Sequence, residues 1–89
     1  ATFNVSLTAA NDANHVGARV YRGTSGGGFD AAVQVGTVHF GASQSATLAQ
    51  TSVAAGFYEY WAETFNSSGV SDASGRSGPV AVTISDPGP

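Results

Sequence analysis

Short runs with an apolar residue at every second position, cut apart by clusters of Gly, Asn, Asp and Ser, restrict this chain to one class of fold. Phe3, Val5 and Leu7 alternate with Asn4, Ser6 and Thr8, which is the period of a strand with one buried face. Val16, Ala18 and Val20 alternate with Gly17, Arg19 and Tyr21 in a second run. Residues 31–38 predict a third strand, interrupted near Gly36, where a glycine marks a bulge or bend. Residues 45–49, centred on Leu48, give a weaker fourth, and residues 57–65 the strongest, rich in aromatic side chains. Val80, Val82 and Ile84 close the series. Turn chemistry separates the runs: Asn11-Asp12-Ala13-Asn14, the glycine run of residues 24–28, Val53-Ala54-Ala55-Gly56, Asn66-Ser67-Ser68-Gly69 and a polar loop over residues 71–78. No 11-residue window repeats apolar residues at helical spacing, so the pattern predicts an all-β sandwich or barrel.

The 89 residues suit one domain with a thin core. Residues 1–85 form the predicted domain, and Asp86-Pro87-Gly88-Pro89 reads as a stiff linker or tail. Charged residues make up 10% of the chain, against about 25% in ordinary domains, so solubility rests on Ser, Thr, Asn, Gln and Gly. There is no Cys, hence no disulfide framework and no thiolate metal site. The cations are Arg19, Arg22 and Arg76 and the net charge is −3, which argues against nucleic acid as a partner. No apolar stretch approaches about 18 residues, so membrane insertion is not expected. With neither an initiator Met nor a signal peptide, the chain reads as a piece of something longer.

Residues 58–69 read Y-E-Y-W-A-E-T-F-N-S-S-G. This resembles the sixth strand of fibronectin type III domains, Y-x-Φ-x-V-x-A-x-N-x-x-G with Φ apolar. Tyr58 stands at the family tyrosine, Tyr60 at the apolar position, Asn66 at the asparagine and Gly69 at the turn glycine. Ala62 and Thr64 occupy the V and A positions. Residues 18–22, Ala-Arg-Val-Tyr-Arg, are similar to the third strand, and residues 79–84 to the seventh. The Gly-, Ala- and Ser-rich style resembles copies in bacteriophage tail proteins and bacterial secreted proteins. The resemblance implies an immunoglobulin-like Greek-key β-sandwich of six or seven strands. Residues 3–7 look like the second strand, so the first is either missing or supplied by upstream sequence; a missing strand leaves an open edge that invites another chain.

Alternation assigns faces. With Tyr58 inward, Tyr60, Ala62 and Thr64 follow, and Phe57, Glu59, Trp61, Glu63 and Phe65 point outward. The expected core is Tyr58, Tyr60, Val20, Leu7 and Val82. The resemblance implies that the third and sixth strands are neighbours, so Arg19 and Tyr21 share the outer face with Trp61, Glu63 and Phe65. An Arg19 guanidinium over Trp61 contributes about 0.5–1 kcal/mol, and an Arg19–Glu63 pair less than ~1 kcal/mol. Such a cluster either covers its own sheet or forms a contact patch for a protein or a sugar ring. For Tyr58 the resemblance implies a hydroxyl bonded to backbone in the preceding corner.

Chemistry finds little footing. His15 and His39 are the histidines, and neither stands in a nucleophile motif. Asp12 and His15 are two donors where a metal site needs three or four. Glu59 and Glu63 lie about 13 Å apart along an extended strand, too far for a glycosidase pair. The glycine run of residues 23–28 lacks the lysine of a phosphate loop. Asn4-Val5-Ser6 and Asn66-Ser67-Ser68 fit the glycosylation pattern, which is short and unspecific. The expectation is therefore no catalytic residue, no metal and no cofactor. The expected role is a structural or interaction module of a virion, such as a phage tail, or of an extracellular, secreted protein. Its partners would be neighbouring domains or subunits, met by the loops at residues 11–15, 23–28 and 71–78. The alternatives are a carbohydrate-binding module stacking polysaccharide on Trp61, Tyr21 and Phe65, and a subunit that self-associates through an open sheet edge.

Overall fold

The computed structural model describes residues 2–8, 16–40, 44–51 and 53–84, with backbone alone for 71–75. Among the described residues six strands follow one another: β1 (Phe3–Thr8), β2 (Gly17–Thr24), β3 (Val33–His39), β4 (Ser45–Gln50), β5 (Gly56–Phe65) and β6 (Ser71–Ile84), with a 3-10 turn at Phe29–Ala31 before β3. β1 and β4 make a two-stranded antiparallel sheet in which Val5 faces Leu48. The other four form a second antiparallel sheet in the order β3-β2-β5-β6. The two sheets pack face to face through the alternation that formed them. Ala18, Val38 and Phe40 are buried, and Leu7, Ala46 and Leu48 of the small sheet pack against them. Gly36 makes the approach possible, because a Cβ there would lie 2.6 Å from both methyl carbons of Leu48. The interruption expected near Gly36 is a register shift: Val20 faces Gly36 and Tyr21 faces Gln34, which leaves Val35 as the extra residue.

The small sheet does not cover the large one fully. Val20 is 1% exposed and Tyr60 4%, with the Phe3 ring edge-on to Tyr60 at 6.0 Å. Leu7, Tyr58 and Val82, expected in the core, are only half-buried. Tyr58 and Val82 face each other across β5 and β6. The Tyr58 hydroxyl donates to the Ala54 carbonyl at 2.8 Å, and the Arg22 guanidinium lies 5.4 Å over its ring. That bond ties the corner before β5 to the strand.

Residues 71–78, expected as a polar loop, instead begin β6. Asn66 folds the chain back: its Oδ1 accepts from the N–H groups of Ser68 at 3.0 Å and Val70 at 3.1 Å, and Gly69 takes φ 79°. Backbone pairing to β5 then carries a segment with no apolar period of its own. The mismatch is absorbed in two register shifts, one setting Gly78 and Pro79 opposite Trp61. Residues 9–15, including the expected turn and the Asp12–His15 pair, and the tail at 86–89 lie outside the described residues.

Candidate functional site

The outer face of the large sheet holds the predicted patch, and neighbouring segments close over it. β2 and β5 set Tyr21 opposite Trp61 and Arg19 opposite Glu63. The turn after β2 brings Phe29 edge-on to both aromatics, with ring centroids 4.8 Å from Tyr21 and 5.7 Å from Trp61. β6 lays the Arg76 guanidinium 3.6 Å over the Phe29 ring centroid. The same guanidinium donates through Nε and Nη2 to Glu63 Oε2, both at 3.0 Å. Glu59 anchors the turn itself, because its two carboxylate oxygens accept from the N–H groups of Gly26 at 3.0 Å and Gly28 at 2.9 Å. Acceptance of charge-assisted bonds is what allows carboxylates to be 6% and 7% exposed at Glu59 and Glu63.

The outward set is thus largely covered. Glu59, Glu63 and Phe65 are buried and Trp61 is half-buried; Phe57 alone of this set stays 69% exposed. The Trp61 Nε1 is buried without a hydrogen-bond partner among the described residues. Arg19 stacks 4.6 Å over Phe65 rather than on Trp61, and donates to the Gly69 carbonyl at 2.8 Å. His39 meets Phe65 edge-on at 5.7 Å. Gly17 leaves room for the Phe65 ring, whose Cζ would lie 2.6 Å from a Cβ at that position.

The inner face is the open one. A cavity of about 660 Å³ runs between β1 and β6. Every residue of β1 lines it, with Ala18, Val20, Tyr60 and Ala62 of the central strands and Val80 and Val82 of β6. Val80 faces Tyr60 across the ladder and lies on its side of the sheet, yet it is 62% exposed. Among the described residues β1 pairs with β4 alone. Successive residues of a strand turn their N–H and C=O groups to opposite edges, so every second residue of Phe3–Thr8 presents both groups toward this cavity.

Comparison with known proteins returns no family model, no curated protein and no solved structure that matches the chain.

The patch residues Arg19, Tyr21, Trp61, Glu63 and Phe65 therefore share one side of the sheet, but Phe29 and Arg76 complete their packing. Neither was legible as a member: Phe29 sits in a loop and Arg76 in a polar segment with no period. Among the described residues no three His, Asp or Glu side chains gather as metal ligands do. The charged groups of the outer face, Arg19, Glu59, Glu63 and Arg76, are committed to one another, to aromatic rings and to backbone. The groove, by contrast, combines mostly apolar walls, with Arg76 and Ser77 at its rim, with an edge of β1 that no other described strand pairs.

Proposed function

We infer that the chain is a structural and interaction module of a larger virion or extracellular assembly, without catalysis, built as a fibronectin type III-like sandwich whose first strand is either missing or supplied by upstream sequence. Three features support the likeness. β2 and β5, similar to the family's third and sixth strands, are neighbours. The Tyr58 hydroxyl bonds the preceding corner at Ala54. The small sheet has two strands, with β1 in the place of the second.

The observation that carries the functional reading is the open groove. An inner-facing valine 62% exposed beside a strand edge unpaired among the described residues is surface that a monomer normally hides. Contact there holds the module in its assembly. The alternative of a sugar-stacking platform is disfavoured, because Phe29 packs edge-on with both Tyr21 and Trp61 and Arg19 lies over the Phe65 ring. Hydrogen exchange on the chain alone tests the reading: alternate amides of Phe3–Thr8 exchange freely while those of β2 and β5 are protected. Uniform protection across β1 removes the open edge. Titration with soluble polysaccharides leaves Trp61 fluorescence unchanged; a saturable change, with retention on affinity gels, moves the assignment to the carbohydrate class.

A further inference from the structure

We propose that the groove between β1 and β6 takes one extended peptide strand from outside residues 1–89, which pairs with the edge of β1 that no described strand occupies and seats alternate apolar side chains on Val80 and Val82. The inference rests on the open-groove reading and names its occupant.

The width of the gap argues for a single strand. β4 lies against β3, with Leu48 on Gly36, and β1 reaches as far as β5, with Phe3 on Tyr60. Among the described residues β1 pairs with β4 alone, and Val80 on β6 is exposed. The vacant position is beside β1 and above β6, at the spacing of about 4.8 Å that the next strand of a sheet takes. An extended segment laid there meets the unpaired N–H and C=O groups of β1 along its length. Every second side chain turns down onto the apolar floor and the others turn to solvent.

A compact apolar ligand could fill the volume but would leave the backbone groups of β1 unmatched. A second copy of the domain joined edge to edge through β1 fails on space. The twofold would carry the copy's own β5 and β6 beneath the joined strands, into the layer that β5 and β6 already fill.

The edges themselves point the same way. The large sheet is blunted at β3 by the bulge at Val35 and at β6 by Arg76 and Pro79. β1 carries no charge, no proline and no register shift against β4. Nothing in it discourages a further strand.

The test uses two capped heptapeptides against the chain: one with the β1 period itself, Thr-Phe-Asn-Val-Ser-Leu-Thr, and one of the same composition with Phe, Val and Leu adjacent. We expect saturable binding of the first by calorimetry, at least tenfold tighter than the second, with new protection of alternate β1 amides. Val80→Asp weakens it at least tenfold, and Val80→Thr by less, both at an unchanged urea midpoint. Equal binding of the two peptides, no binding, or indifference to both Val80 variants overturns the proposal. So does dimerisation by light scattering with β1 protected, which makes the second copy the occupant. Free exchange at β1 without peptide binding retires this occupant and leaves the open-groove reading in place; protected β1 amides in the lone monomer retire both.

Discussion

Replacing Glu59 tests whether the closed outer face is held by a buried carboxylate. Its two oxygens accept from the N–H groups of Gly26 and Gly28 at 3.0 and 2.9 Å, and the residue is 6% exposed. Hydrogen bonds to a charged acceptor contribute about 1.5–3 kcal/mol each. Gly26 is exposed, so its N–H regains water when the carboxylate is gone, and the full sum is not lost. Glu59→Ala is therefore expected to cost about 2–3 kcal/mol, and Glu59→Gln, which keeps one acceptor, about 1–2 kcal/mol. Against a total of roughly 4–13 kcal/mol for 89 residues, the alanine variant loses a substantial share of the stability. Urea unfolding followed by Trp61 fluorescence measures it, and hydrogen exchange at Gly26 and Gly28 localises it. The loop amides should exchange faster in both variants while β2 and β5 amides keep their order of protection. Two variants within ~0.3 kcal/mol of the parent, with unaltered loop exchange, would refute the clamp.

Three further outcomes follow from the same geometry. Tyr58→Phe removes only the hydroxyl bound to Ala54 and is expected to cost about 0.5–1.5 kcal/mol in urea unfolding. Gly17→Ala places a Cβ 2.4 Å from the Val38 carbonyl oxygen and 2.6 Å from Phe65 Cζ; because the first is backbone, overpacking of about 2–3 kcal/mol is expected, read as a lower thermal midpoint. Arg76→Met strips the cation from both Phe29 and Glu63; a loss of about 1–3 kcal/mol, with a shifted Trp61 emission, is expected because Glu63 stays buried without that partner.

Most strands were legible because their burial follows a period of two. Phe3 to Leu7 and Phe57 to Phe65 each write one apolar face into the sequence, and the register Tyr60 to Val80 continues it. Residues 71–78 were not legible, since β6 forms there by pairing with β5 after the Asn66 turn and not by any apolar preference. The candidate patch was legible in its parity and illegible in its cover. Glu63 lies in a central strand and has two cross-strand neighbours, Arg19 on β2 and Arg76 on β6; the expected neighbour came from a recognisable strand, the ion-paired one from a segment with no strand signal. The position of Phe29 depends on a carboxylate at Glu59 reaching two loop amides, a contact that no local pattern encodes.

The two faces of the large sheet divide the work. On the outer face Glu59 meets two loop amides and Glu63 meets Arg76, so surface that looks adhesive in sequence is spent on the domain's own stability. On the inner face the apolar residues outnumber what two strands can cover, and Val80 remains in water. Leaving apolar area exposed forgoes roughly 25 cal/mol per Å², a deficit that falls on a domain with a thin core. An occupant of the groove restores that term, and linkage requires that whatever binds the folded chain there also stabilises it, by about 2.7 kcal/mol at a hundredfold excess over its dissociation constant. With the proposed strand bound, binding and folding would be the same event read from two sides: the strand that fills the groove would also finish the core.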